Sequence, residues 1–131
     1  MSKPFTFIGT HKIKGGKLEE YCEHLHELVE FVEANEPRVI AFNLYVDEAA
    51  NRVAGVQVHP DAESMQFHMR LVHEHISGAY QDYIEATESI EVYGEVPDAL
   101  LEGMRQATPP GTPLRVVPTH HAGFTRSNAA R

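Results

Sequence analysis

The sequence predicts an α+β protein of the ferredoxin-like class, with element order β-α-β-β-α-β followed by a C-terminal helix and strand. Three observations predict it. Apolar residues switch between helical spacing and runs rich in β-branched and aromatic residues, bounded by turn residues. Two of those runs are joined by only a few residues, as in a hairpin. The order of elements is that of a split βαβ unit.

Residues 5–13, FTFIGTHKI, read as the first strand, broken by Gly15-Gly16. Residues 17–34 carry Leu18, Tyr21, Cys22, Leu25, Leu28, Val29 and Val32 on one helical stripe. That helix should stop at Asn35, in a left-handed cap, with Pro37 barring continuation. Residues 38–47 and 52–59 are the second and third strands, linked through EAAN. Asp61 stands where an N-cap belongs, ahead of Ala62, Met65, Met69, Val72 and Ile76. Ser77-Gly78 should interrupt this second helix, and a further piece should run through Tyr80, Tyr83 and Ile84. Residues 89–96 read as the fourth strand, Pro97-Asp98 opens a third helix, and LRVV at 114–117 is a fifth strand. An 18-residue helix spans roughly 27 Å and an eight-residue strand roughly 26 Å, so one helix covers the sheet's length. Residues 1–107 form the expected domain, and 108–131 an extension suited to docking on a second copy.

Both faces of the second and third strands are apolar. Ile40, Phe42, Leu44 and Val46 alternate with Val39, Ala41, Asn43 and Tyr45, and Ala54, Val56 and Val58 alternate with Val53, Gly55, Gln57 and His59. Helices on one face leave the other to be covered, which a second copy can do. A homodimer is the expectation, with a tail folded under the sheet as its rival.

The 131 residues suit one domain. The net charge of −8 argues against nonspecific nucleic-acid binding. Residues 108–131 contain Arg115, Arg126 and Arg131 and no acid, so removing three positive charges from −8 leaves −11 on the rest. The single cysteine, Cys22, excludes an intramolecular disulfide and suits a reducing compartment. With no signal peptide in MSKPFTFIG and no apolar run of ~20 residues, a cytoplasmic protein without membrane contact is expected.

The run NEPRVIAFNLY after the first helix and the run VQVHPDAESMQFHMRLVHEHI together resemble the antibiotic biosynthesis monooxygenase superfamily, the dimeric α+β barrel group. The likeness spans about residues 5–96. It rests on a Glu-Pro turn before the second strand, here Glu36-Pro37-Arg38, and on Asp61 to Glu63 opening a helix with His68 and His73 five apart. His59 stands where family oxygenases carry an aromatic residue. The resemblance implies a cofactor-independent monooxygenase acting on a small aromatic or quinol-like molecule. The residues leave two alternatives open: a non-oxidative isomerase or lyase with a histidine base, or a non-enzymatic dimer that binds a small molecule or haem.

His59 ends a strand beside a helix start and is either a general base or a histidine capping the adjacent turn. His68 is kept as a second catalytic candidate on the strength of the resemblance. It either lines the pocket's helix wall with Phe67 and Leu71 or sits half-exposed on the surface. Asn43, Tyr45, Gln57, His73 and Tyr93 are further substrate-contact candidates. Asn43, Tyr45, Gln57 and Tyr93 carry a dimer-contact reading beside that one. No two histidines stand four apart, so a helical zinc pair is not expected. The absence of GxGxxG, Walker and GxSxG motifs gives no support to a nucleotide cofactor or a serine hydrolase.

Overall fold

A computed structural model describes residues 3–126. Five strands and three helices follow in the order β1 (Phe5–Ile13), α1 (Leu18–Asn35), β2 (Ala41–Asp47), β3 (Arg52–His59), α2 (Ala62–Asp82), β4 (Ile84–Tyr93), α3 (Asp98–Ala107) and β5 (Leu114–Val117). They build one sheet of order β2-β3-β1-β4-β5. The first four strands pair antiparallel, and β5 joins β4 in parallel. This is the ferredoxin-like arrangement, with one strand added at the edge.

Alternation along the strands decides which residues meet the helices. On β1 these are Phe5, Phe7, Gly9, His11 and Ile13, of which Phe5, Gly9 and Ile13 are fully buried. Two apolar clusters result. Tyr21, Leu25, Leu28 and Val32 of α1 pack with Ile13, Val53, Val72 and Ile84. Phe5, Met65, Ile90 and Val92 pack with Leu100 and Met104 of α3. The opposite sheet face carries Ile8, Ala54, Val56 and Val58 in its middle, all half-buried, and charged residues toward its margins.

The helix starts and stops follow local chemistry. Asp61 caps α2 as expected, its Oδ1 accepting from the Ser64 N–H at 3.0 Å. Helix α1 ends at Asn35, but by another device than a left-handed cap. Asn35 stays helical, and its side-chain amide donates to the Phe31 carbonyl at 2.8 Å. Gly94 ends β4 at φ 128°, where a Cβ would stand 3.1 Å from the Pro4 carbonyl oxygen.

Three element boundaries differ from the sequence reading. Ser77-Gly78 does not break α2, which runs unbroken to Asp82. A glycine inside a helix costs about 1 kcal/mol, less than Val72, Ile76, Ala79 and Tyr80 gain by packing on either side of it. Strand β4 spans Ile84–Tyr93 rather than residues 89–96: it pairs along β1 as far as Ile13 across two register shifts, and Gly94 ends it. Strand β2 begins at Ala41, since Glu36–Ile40 is taken up by the turn after α1. Of the C-terminal extension, residues 114–117 belong to the sheet as β5, with Leu114 and Val116 packed on the core.

Candidate functional site

Between the sheet and the α2–α3 pair lies a cavity of about 450 Å³. Phe7, Gln57 and Ile90 form its sheet floor, Met65 and Val72 its α2 wall, and Met104 its α3 wall. The lining is mostly apolar with a few polar groups, the composition of a small-molecule site.

His68 faces this cavity from α2 and is 3% exposed. Its Nδ1 lies 2.8 Å from Glu36 Oε2, and Glu36 is 4% exposed. The turn after α1 therefore delivers a carboxylate to the rear of the histidine, leaving Nε2 as the nitrogen available to a ligand. Burial pushes the Glu36 carboxyl up to about 7 and holds the His68 imidazole down to about 4. When Glu36 is ionised, His68 donates Nδ1–H to it and Nε2 becomes an acceptor, a base. When Glu36 is protonated, its O–H donates to Nδ1 and Nε2–H becomes a donor. One buried carboxylate sets the tautomer its neighbour presents.

His59 is fully buried, and both ring nitrogens are committed. Nδ1 lies 2.8 Å from Ser64 Oγ and Nε2 3.0 Å from Gln57 Oε1. Burial first, then the neighbouring His68, lowers its pKa to about 4. Its ring meets that of His68 edge to face at 5.7 Å. Of the two expected roles, base or cap, the geometry is that of a cap: His59 stands behind Gln57, ties the end of β3 to the start of α2, and is not among the residues lining the cavity.

Of the other expected site residues, Gln57 and His73 line the cavity, His73 at its exposed rim. Phe67 and Leu71 do not share the wall with His68, contrary to expectation. Phe67 is 44% exposed and opens onto a shallow groove beside Pro37 and Arg38, because the α2 face toward the cavity runs through Met65, Met69, Val72 and Ile76. Asn43 and Tyr45 are exposed on β2, alternating with the helix-facing Phe42 and Leu44. Tyr93 lies on the outer sheet face, where Arg115 Nη2 donates to its phenol oxygen at 2.8 Å. Strand alternation decides all three, and it sends them away from the cavity.

Four residues with a stake in the site were not singled out: Glu36, His11, Thr87 and Tyr80. His11 carried a readable signal, as the only titratable side chain among the alternate positions Phe5, Phe7, Gly9 and Ile13. Glu36 was visible only as part of a turn. Among the described residues, no group of three or more His, Cys, Asp or Glu side chains gathers as a metal-binding cluster.

The sequence matches no protein-family model and no curated protein. Solved structures do match. MupZ from Pseudomonas fluorescens superposes with a TM-score of 0.70 over 95% of each chain at 16% identity. A provisionally named antibiotic biosynthesis monooxygenase from Bacteriodes thetaiotaomicron matches over 66% of this chain and 84% of its own, with a TM-score of 0.58 and 19% identity. A further antibiotic biosynthesis monooxygenase matches over 71% and 99%, at 0.59 and 19%. The chain has the antibiotic biosynthesis monooxygenase fold. At these identities the likeness is one of fold, and chemistry must be argued from the site. The match to MupZ extends over nearly the whole chain, so it takes in α3, the helix that walls this cavity on one side.

Proposed function

We propose that the chain is a small-molecule enzyme whose chemistry starts with proton abstraction by His68, backed by Glu36, in the apolar cavity. One observation carries this: a cavity-facing histidine is held from behind by a buried carboxylate at 2.8 Å. Carboxylate–histidine pairs of this kind orient the ring and stabilise the imidazolium that forms on proton transfer. The surroundings suit a small, largely apolar molecule with an acidic phenol or an activated C–H.

The named neighbours of this fold support an oxidative outcome. In that scheme the substrate anion reduces O2 directly. An activated CH2 becomes a carbonyl, one oxygen atom enters the product, and the other leaves as water. The substrate supplies all the electrons, so this scheme calls on no flavin or metal. A second reading, isomerase or lyase, is favoured by one observation: another chain of proton-bearing groups, His11, Thr87 and Tyr80, borders the same cavity. A base at one end and an acid at the other are what proton relocation requires.

Small aromatic quinols and enolisable ketones, incubated with and without O2, decide between them. The oxygenase reading expects oxygen uptake in step with product. Undiminished conversion without O2 replaces it with the isomerase reading, and no conversion in either atmosphere removes the enzyme.

We infer also that the outer sheet face pairs with a second copy. Ile8, Val56 and Val58 at its centre, with Tyr45 59% exposed beside them, support this. The basic extension would then lie near an acidic partner. Arg115 there already bridges Glu91 and Tyr93, Arg126 sits 4.8 Å over the Phe124 ring, and Arg131 lies outside the described residues. Sedimentation of the full chain at the mass of a single copy would exclude the dimer.

A further inference from the structure

The second polar wall of the cavity is built with unusual care for charge. His11 on β1 and Thr87 on β4 are register partners, and His11 Nδ1 lies 2.9 Å from Thr87 Oγ1. Thr87 Oγ1 in turn donates to the Tyr80 phenol oxygen at 2.9 Å. The rings of His11 and Tyr80 meet edge to face at 5.8 Å, and both line the cavity. Thr87 is 7% exposed.

With the Thr87 proton given to Tyr80, His11 Nδ1–H is the donor to Thr87, and the reverse direction exchanges donor and acceptor at the two ends. Two groups are left over: the Tyr80 O–H, which donates to no described residue, and the lone pair of His11 Nε2. Burial holds His11 down to about 4 and pushes the Tyr80 phenol up, so both are neutral near pH 7.

A β-bulge makes this possible. The register runs Thr10↔Ser89 and then His11↔Thr87, which loops out Glu88. An unbulged ladder would put Glu88 opposite His11, facing the helices. The bulge sends that carboxylate to the outer face instead, where Arg52 Nε donates to it at 2.6 Å. A hydroxyl takes the place of a charge.

The wall also stands apart from the Glu36–His68 pair. Phe7 pairs with Gln57, the neighbour of His59, and His11 is four residues further along β1, roughly 13 Å away.

We propose that His11, Thr87 and Tyr80 form a second binding subsite, which takes a neutral hydroxyl group of an elongated, otherwise apolar ligand. A hydroxyl both donates and accepts, so it satisfies His11 Nε2 and Tyr80 O–H together. A carbonyl satisfies only one of them. A carboxylate meets a lone pair and no cation. The proposal rests on the cavity being the ligand site described above, and it adds the class of ligand: an alcohol or phenol function remote from the group that His68 addresses.

Calorimetric titration of the full chain with α,ω-octanediol, n-octanol and octanoate tests it. The diol should bind with measurable affinity and octanoate more weakly than either alcohol. In Tyr80→Phe the affinity of each alcohol should fall roughly five- to tenfold, the loss of about one hydrogen bond. Thr87→Val should lower the same affinities, and Thr87→Ser, which keeps the hydroxyl, should preserve them. Unchanged alcohol affinities in both Tyr80→Phe and Thr87→Val, or no binding of the diol by the unaltered chain, overturn the subsite. Binding is read without turnover. A chain that shows Tyr80-dependent discrimination but no catalysis keeps the subsite and loses only the enzyme reading, and catalysis without discrimination does the reverse.

Discussion

Replacing His68 with glutamine lowers turnover by about 100- to 10,000-fold, the usual contribution of a positioned general base. Glutamine keeps an amide that can still donate to Glu36 at the rear, so the buried carboxylate retains a partner and the fold survives. What is lost is the Nε2 lone pair facing the cavity. Glu36→Gln is the informative companion. In the unaltered chain, activity should rise as pH climbs through about 7, because ionised Glu36 fixes Nδ1–H and frees Nε2 as the base. Glutamine cannot ionise, so that limb of the pH–rate profile should flatten. The charged groups near the pair are Arg38, Asp61 and Glu63, joined in ion pairs, and the adjacent His59 is neutral. Steady-state rates from pH 5 to 9 check both variants. Unaltered turnover in His68→Gln removes His68 from the mechanism, whatever the substrate proves to be.

Acid destabilisation is the second large effect. His11 and His59 each have a pKa of about 4 in the folded chain against an ordinary 6.5, in both cases mainly through burial. The unfolded chain therefore binds more protons than the folded one between those values. Their contribution is complete above pH 6.5 and is lost as pH falls toward 4. Between pH 7 and pH 5 each histidine should cost about 2 kcal/mol, so the two together remove about 4 kcal/mol, a large share of a domain's total of roughly 5–15 kcal/mol. His68 is shifted the same way, but Glu36 is shifted oppositely, up to about 7, so its share falls with rising pH and offsets that of His68. The pair exchanges one proton internally and adds little to the slope. Urea unfolding at pH 7 and pH 5 measures this. A midpoint that does not move would mean that these histidines are solvated in solution.

The two effects share an origin. The fold places histidines where burial keeps them neutral, and neutrality is what a base needs at rest. His59 and His68 differ only in what touches their nitrogens. His59 has both occupied, by Ser64 and Gln57, and serves the junction of β3 and α2. His68 has one occupied, by Glu36, and keeps one for the cavity.

Local chemistry was enough to read the element order, the Asp61 cap, the β2–β3 hairpin, α3 and the short β5. Each depends on periodicity, turn residues or a capping oxygen within a few positions in the chain. Alternation also placed Phe42 opposite Asn43 and Val56 opposite Gln57, though it could not say which set faced the helices. Tertiary structure decided the rest, because the deciding partners are distant in sequence. Pairing with β1 carried β4 back to Ile84, and packing on both sides kept α2 whole across Gly78. Glu36 reached His68 across 32 positions and turned a histidine of uncertain exposure into a buried pair. His11 met Thr87 across 76 positions, through a bulge that no periodicity announces. A side chain's identity is written locally, but its protonation state follows from the surfaces that close around it.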